Sequence, residues 1–398
     1  MFLLGSACKA GANQLSVSFV SAPYSFYEFF AGGGMARLGL GEAWACAFAN
    51  DFDPVKAATY RRNFPDAAQH FHEGDVWKLD AADLPGRADL AWASSPCQDF
   101  SLAGARAGLS GGRSSAFFGF WRLVEALAAE GRAPRTVVIE NVSGLLTSHG
   151  GADFAALGEA LAARGYAFGA LEIDAAGFLP QSRPRVFVVA TREAPPAVLT
   201  GASPFHTRAV AAAHAALPPH LAERWIWWRL AAPPARNTDL AALLEPDAAV
   251  AWHSPERTAA LLALMAPLHR ARLEAMQARG ERAVGAVFRR TRDEDGRRVQ
   301  RAEVRFDGLA GCLRTPRGGS SRQSIVVVDE GAVRSRLLSP REAARLMGLP
   351  DAYALPKAAT AALHVAGDGV AVPVVRWLGR ELLEPLLAGA PGVTARTA

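Results

Sequence analysis

Between Ser25 and Thr191 the chain alternates short β-prone strings, SFYEFF, DLAWAS, TVVIE and RVFVVA, with Ala- and Leu-rich stretches of helical character. Strands separated by helix-length segments have room to cross over and lie parallel. Repeated alternation of this kind therefore predicts a parallel sheet with helices on its faces, a doubly wound α/β fold. The texture changes afterwards. Proline-rich breaks, APPAVLTGASP and AAPPARN, precede a helical patch around Thr258 to Met276 and a basic, β-prone region from about Val284 to Val328. In a chain of 398 residues, 50% of them apolar, more than one core can form. We expect an N-terminal extension (1–23), a first domain (24–192), a second (193–360) and a closing segment (361–398). In that closing segment Val370 to Leu387 predicts a helix that packs on the sheet despite Pro373.

Four cysteines, Cys8, Cys46, Cys97 and Cys312, lie too far apart for a disulfide framework or a C-x-x-C metal site, which suits a reducing cytoplasm. The first twenty residues carry one basic residue, Lys9, and Asn13 and Gln14 interrupt the apolar run that a secretory signal needs. No later stretch is apolar enough to span a membrane. The net charge of +5 is mild, but its distribution is not. Arginines 289, 290, 292, 297, 298, 301, 305, 314, 317 and 322 crowd one stretch, either as a solvated face or as a nucleic-acid contact.

The segment FYEFFAGGGMARLGLG sets Gly32, Gly33 and Gly34 between a strand and a helix, where backbone can approach a ligand closely. A plain strand-to-helix turn would look the same. A second strand ends in Asn50-Asp51-Phe52-Asp53, with an acid where a ribose hydroxyl pair would lie, and Asp75 closes a third in EGDVW. Each acid alone could be a helix cap. Together the three strand ends read as an adenosyl pocket, with Phe30, Phe52 or Val76 against the adenine.

Further on come SSPCQDFSLAG, TVVIENVSG and LPQSRPRVFVVA, followed by SPREAARLMGLPDAY and GDGVAVPVVRWLG. These strings, in this order, resemble the DNA (cytosine-5)-methyltransferases of bacterial restriction-modification or orphan type, from about Tyr24 to Leu387. The resemblance implies the S-adenosylmethionine-dependent methyltransferase fold with a smaller, partly β target-recognition domain, and S-adenosylmethionine as cofactor. It makes Cys97 the nucleophile: carbon 5 of cytosine reacts poorly until a thiolate adds at carbon 6. Glu140 would protonate ring nitrogen 3, Arg185 would hold the carbonyl oxygen and Arg183 would support the site. Pro96, Asp368 and Gly369 join the cofactor-binding set.

The target atom lies inside a stacked duplex, so the base must be flipped out, at a cost of roughly a few kcal/mol. The segment from Asp99 to Ser115, with Gly104, Gly108, Gly111 and Gly112, suits a loop that closes over DNA. Gln98, Ser101 and Arg113 are candidate DNA contacts there. In the region between QSRPR and SPREAARLMG, which the family uses for sequence recognition, Arg305, Arg314, Arg317, Gly318, Gly319 and Arg322 are the others. The expected partner is double-stranded DNA. A separately acting restriction endonuclease is compatible with the reading, as is a monomer at work in the cytoplasm on the nucleoid. Three positions depart from the family pattern: Glu28 where Asp is commoner, Gly112 before Arg113 where an acid is frequent, and Asp368 in place of the usual Asn. The rival readings are an RNA cytosine-5 methyltransferase and a DNA-binding module without catalysis. An amino-methyltransferase would need an aromatic after Pro-Pro, where this chain has Pro96-Cys97.

Overall fold

The computed structural model describes residues 22–96, 116–314 and 322–389. Its first half runs β1 (Tyr24–Phe29), α1 (Met35–Leu40), β2 (Trp44–Asp51), α2 (Pro54–Asn63), β3 (Phe71–Glu73), β4 (Leu90–Ala93), α3 (Ala116–Ala129), β5 (Thr136–Val142), α4 (Ala152–Ala163), β6 (Ala167–Asp174) and β7 (Pro184–Thr191). These strands form a 7-stranded sheet in the order β3-β2-β1-β4-β5-β7-β6. Successive β1 side chains go to opposite faces. Phe26 enters one core, while Tyr27 and Phe29 enter the other beneath α3 and α4. The sheet is therefore buried on both sides, as the doubly wound reading requires.

One strand breaks the parallel pattern that the alternation predicts. β7 pairs antiparallel with both β5 and β6, because the short β6–β7 link holds only the turn Ala175–Gly177 and FLPQSR, too little for a helical crossover. The consequence is functional. The start of β7 comes to the same edge as the ends of β1, β2, β4 and β5, the edge where open α/β sheets bind ligands.

After β7 come α5 (Arg208–Ala215), α6 (Pro219–Ala222), α7 (Pro255–Ala263), α8 (Pro267–Arg279), and then β8 (Ala283–Glu294), β9 (Arg297–Arg305), β10 (Ser324–Asp329) and β11 (Ala332–Leu337). The last four form an antiparallel sheet in the order β11-β10-β8-β9, with a small core of its own under α7 and α8. The chain closes with α9 (Pro340–Leu346), α10 (Ala359–Asp368), α11 (Val372–Leu378), a π-helical turn (Gly379–Leu383) and α12 (Glu384–Ala388). Pro373 sits in the first turn of α11, where a missing N–H costs nothing. Val374, Val375, Leu378, Leu382 and Leu386 pack into the core shared with Phe26, Met35 and Trp44. Among the described residues no helix is long and apolar enough to cross a membrane.

Three buried ionisable groups mark where the structure is sensitive. Arg336 of β11 makes a bidentate pair with Glu342 of α9, at 2.8 and 2.6 Å, both side chains about 1% exposed. The same carboxylate accepts the backbone N–H groups of Glu245 and Ser339, at 2.8 and 2.9 Å, so both its oxygens are fully engaged. In β1, Glu28 is buried, with one oxygen accepting Arg37 N–H at 3.3 Å and the other, Oε2, without a partner. Burial pushes its carboxyl up to about 8.

Removing one partner of the Arg336–Glu342 pair strands the other charge. Glu342→Gln is expected to cost about 3–5 kcal/mol in urea unfolding, and replacing both residues by Met should recover part of it, since the amides of Glu245 and Ser339 still lose their acceptor. Equal losses in the single and double variants would exclude this account. For Glu28 the folded chain retains a proton that the unfolded chain, titrating near 4.5, has lost. Its stabilising contribution is thus complete below the unfolded value and disappears as pH rises through about 8. The thermal midpoint of wild type should fall relative to Glu28→Gln between about pH 4.5 and pH 8 and level off above that; parallel profiles would assign the dependence to other groups.

Candidate active site

The loop after β1 opens with a strained residue. Phe30 adopts φ 58°, left-handed backbone that bulky side chains avoid, and Gly32 and Gly34 follow at 57° and 79°. The glycines have separate reasons to be glycine. A Cβ on Gly33 would lie 2.4 Å from the Tyr353 hydroxyl, and one on Gly34 would lie 2.2 Å from the Phe64 ring. Around Gly32 no atom stands within 4 Å of such a Cβ, so a ligand can come up to its backbone.

Asp51, at the end of β2, fixes this loop from the side. Its Oδ2 accepts Gly32 N–H at 2.8 Å and its Oδ1 accepts Asp53 N–H at 2.9 Å. Burial raises its carboxyl above the usual range. Asp53 caps α2, accepting from the amides of Val55 and Lys56. Phe52 between them is 68% exposed, an open aromatic face beside the glycine loop. Val76 is placed differently: it is buried in the core against Gly119 and Trp77 and presents no open face. β3 ends at Glu73, and Asp75 caps the turn that follows by accepting Trp77 N–H at 3.0 Å.

The C-terminal segment closes the loop from above. Tyr353 donates its hydroxyl to Gly33 O at 2.6 Å, and a Cβ on Gly369 would meet Met35 Sδ at 2.2 Å. Asp368 pairs with Lys56 Nζ at 2.8 Å. The open Gly32 backbone, the exposed Phe52 ring and the carboxylates around them fit an adenosyl group with a charged tail.

Toward the middle of the sheet, Glu140 on β5 and Arg185 on β7 face the same side of an antiparallel pair in which Val142 opposes Arg185. Arg185 Nε lies 3.2 Å from Glu140 Oε1. Arg183, two residues earlier, is 2% exposed. It donates to Leu313 O at 3.0 Å, Gly367 O at 2.9 Å, Gly369 O at 2.7 Å and Cys312 Sγ at 3.4 Å. Burial, then repulsion from Arg185, bring its guanidinium down to about 10.

Several residues of this site carry no signal that sequence reasoning used. Asn141, next to Glu140, donates to Ser95 O at 3.1 Å and thereby fixes the backbone just before Pro96. Gln181 is buried and joins Leu346 O, at 2.6 Å, to Leu313 N–H, at 3.1 Å. Cys312 places its sulfur 3.9 Å from Arg185 as well as beside Arg183. The position of Asn141 in ENV and of Gln181 in QSRPR was the available clue. Nothing in the sequence links Cys312 to two arginines 127 and 129 residues away.

Cys97, Gln98, Ser101, Arg113, Arg317, Gly318 and Gly319, and the segment from Asp99 to Ser115, lie outside the described residues; Pro96 is exposed at the margin. Of the remaining candidate DNA contacts, Arg305 pairs with Asp307 at 2.7 Å, and Arg322 donates to Thr360 Oγ1 at 2.5 Å. Arg314 and Arg322 line a small cleft with Leu313, Gln323, Leu338, Ala343 and Leu363. The crowded arginines of β8 and β9 are interleaved with acids: Arg290 and Arg292 pair with Glu303, and Arg301 pairs with Glu294. Part of the basic stretch is thus paired within the hairpin itself.

Comparison with known proteins agrees with this geometry. A family model described as C-5 cytosine-specific DNA methylase matches residues 24–384. The type II methyltransferase M.BsuFI of Bacillus subtilis is 33% identical over 42% of this chain, an alignment that spans only 38% of that enzyme. The type II methyltransferase M1.ScrFI of Lactococcus lactis is 24% identical over 92% of this chain and 79% of its own length. The crystal structure of the S. pombe Dnmt2 methyltransferase superposes with a TM-score of 0.53 at 16% identity, covering 91% of this chain and 99% of that one, a likeness that speaks for the fold. The chain belongs to the C-5 cytosine-specific DNA methylase family.

Proposed function

We propose that the protein transfers the methyl group of S-adenosylmethionine to carbon 5 of a cytosine in a specific duplex DNA sequence. The observation that carries this reading is the Glu140–Arg185 pair, held beside the backbone that leads into Cys97. A carboxyl and a guanidinium on one face match two of the three polar groups of the cytosine edge, nitrogen 3 and the carbonyl oxygen. When bound, the cofactor supplies a methyl group on a sulfonium, a ready electrophile.

The protein's residues would do the rest. Cys97 as thiolate adds at carbon 6 of a cytosine flipped from the helix, and carbon 5 becomes nucleophilic and takes the methyl. Loss of the carbon 5 proton to a base or water then expels the thiolate and restores the ring. Glu140 holds the proton at nitrogen 3 as charge enters the ring, and Arg185 binds the carbonyl oxygen. Arg183 keeps Arg185 and the C-terminal segment in register. The open Gly32 backbone and Phe52 receive the adenosyl group, with Phe30, Gly33, Gly34, Asp51, Asp75 and Gly369 shaping the pocket. The antiparallel sheet with Arg305, Arg314 and Arg322 would meet DNA, mainly at phosphates. The type II relatives make a separate restriction endonuclease a reasonable companion.

Bisulfite sequencing of DNA from cells expressing wild type or Cys97→Ser tests the reaction, its sequence context and the thiol together. Protected cytosines in one short context, absent in Cys97→Ser, are expected. With purified protein, Glu140→Gln should lower the transfer rate by roughly 10²–10³-fold. Methylation of tRNA with no methylation of duplex DNA would overturn the DNA assignment.

A further inference from the structure

The ion pair between Lys56 and Asp368 joins two rims of the glycine loop that are far apart in sequence. Lys56 lies in the first turn of α2, just after Asp53, and Asp368 ends α10 directly before Gly369. Gly369 packs on Met35, the residue that follows the glycine triplet, and Val365, one turn earlier in α10, packs on Gly33. The two charges are 2.8 Å apart and partly open to solvent, with side-chain exposures of 18% and 32%. Asp51 and Asp53 already accept backbone amides. Burial alone would lower the Lys56 ammonium, but Asp368, Asp51 and Asp53 outweigh it and hold it above its ordinary value. Lys56 therefore stays charged at neutral pH.

We propose that Lys56 and Asp368 form a clamp for the zwitterionic tail of the adenosyl cofactor, Lys56 taking the α-carboxylate and Asp368 the α-ammonium. This rests on the cofactor reading above. A carboxylate standing alone at this rim would repel the tail's own carboxylate, and a lone ammonium would repel its amino group. The pair matches both. On binding, each member exchanges its partner for a group of the same sign, so no charge is left uncompensated in a half-buried place. The clamp is thus a specificity element for the amino-acid end, separate from whatever the adenine contacts contribute.

Three neutral-sulfur probes separate the contributions: S-adenosylhomocysteine, its decarboxylated analogue, which lacks only the carboxylate, and 5′-methylthioadenosine, which lacks the whole amino-acid tail. Isothermal titration of the full chain would be run on wild type, Lys56→Met and Asp368→Asn. Lys56→Met should weaken S-adenosylhomocysteine about tenfold and weaken neither of the other two. Asp368→Asn should weaken both amine-bearing probes and spare 5′-methylthioadenosine, whose unchanged affinity also reports an intact fold. Losses equal for all three probes, or no loss for any, would make the pair a mere staple between α2 and α10 and overturn the clamp. Wild type that binds none of the three would overturn the cofactor reading as well.

Discussion

The guanidinium of Arg183 is a charge held almost entirely out of water, and it survives there because two other stretches of chain bring their acceptors to it. Leu313 and Cys312 come from the region of the antiparallel sheet, Gly367 and Gly369 from the C-terminal segment, and Arg183 itself stands at the threshold of β7. Carbonyl dipoles aimed at a buried cation are stronger there than in water, and their loss is correspondingly expensive. Although burial lowers its affinity for the proton, a value of about 10 keeps it charged under neutral conditions. The parts of the site are thus tied to a cation that cannot tolerate their departure.

That arrangement explains how residues contributed from such different places come together at one edge of the sheet. Strand alternation puts Arg185 two positions beyond Arg183, and the antiparallel register brings it to Glu140. Asn141 then couples the end of β5 to the backbone of Ser95. Backbone bridges such as Ser182 N–H to Ala310 O, at 2.9 Å, and Ala310 N–H to Pro180 O, at 2.8 Å, run alongside. A shift of the segment around Ala310 to Leu313 would therefore be felt at Arg183 and Arg185 without passing through the rest of the sheet.

What could be read in advance was what chemistry and local periodicity dictate. The glycine loop, the acid and aromatic after β2, ENV and QSRPR are local strings whose residue types suit one task each, and the strands that carry them follow from their apolar runs. The structure adds what depends on distant partners. Lys56 is an unremarkable helical lysine until Asp368 arrives beside it. The arginine crowd looks uniformly basic along the chain, yet cross-strand pairing gives several of its members a carboxylate. Val76 belongs to a motif but packs inward, because a helix shorn of a side chain at Gly119 settles over it. The reversal of β7 follows from a link too short to cross over, a geometric fact that alternation alone does not carry.

The glycine loop is finished by a residue that leaves the ribosome 320 positions after it. Tyr353 bonds to Gly33 across 320 positions, Trp44 to Glu384 across 340, and Tyr24 to Glu384 across 360. At translation speeds of roughly 5–20 residues per second, the first two strands wait on the order of tens of seconds for the helices that cover one of their faces. During that interval Phe26, Met35 and Trp44 have no α11 or α12 to pack against. The nascent chain therefore carries an unsealed apolar surface until those helices emerge, and a ribosome that stalls before Tyr353 leaves a product with its central sheet half bare.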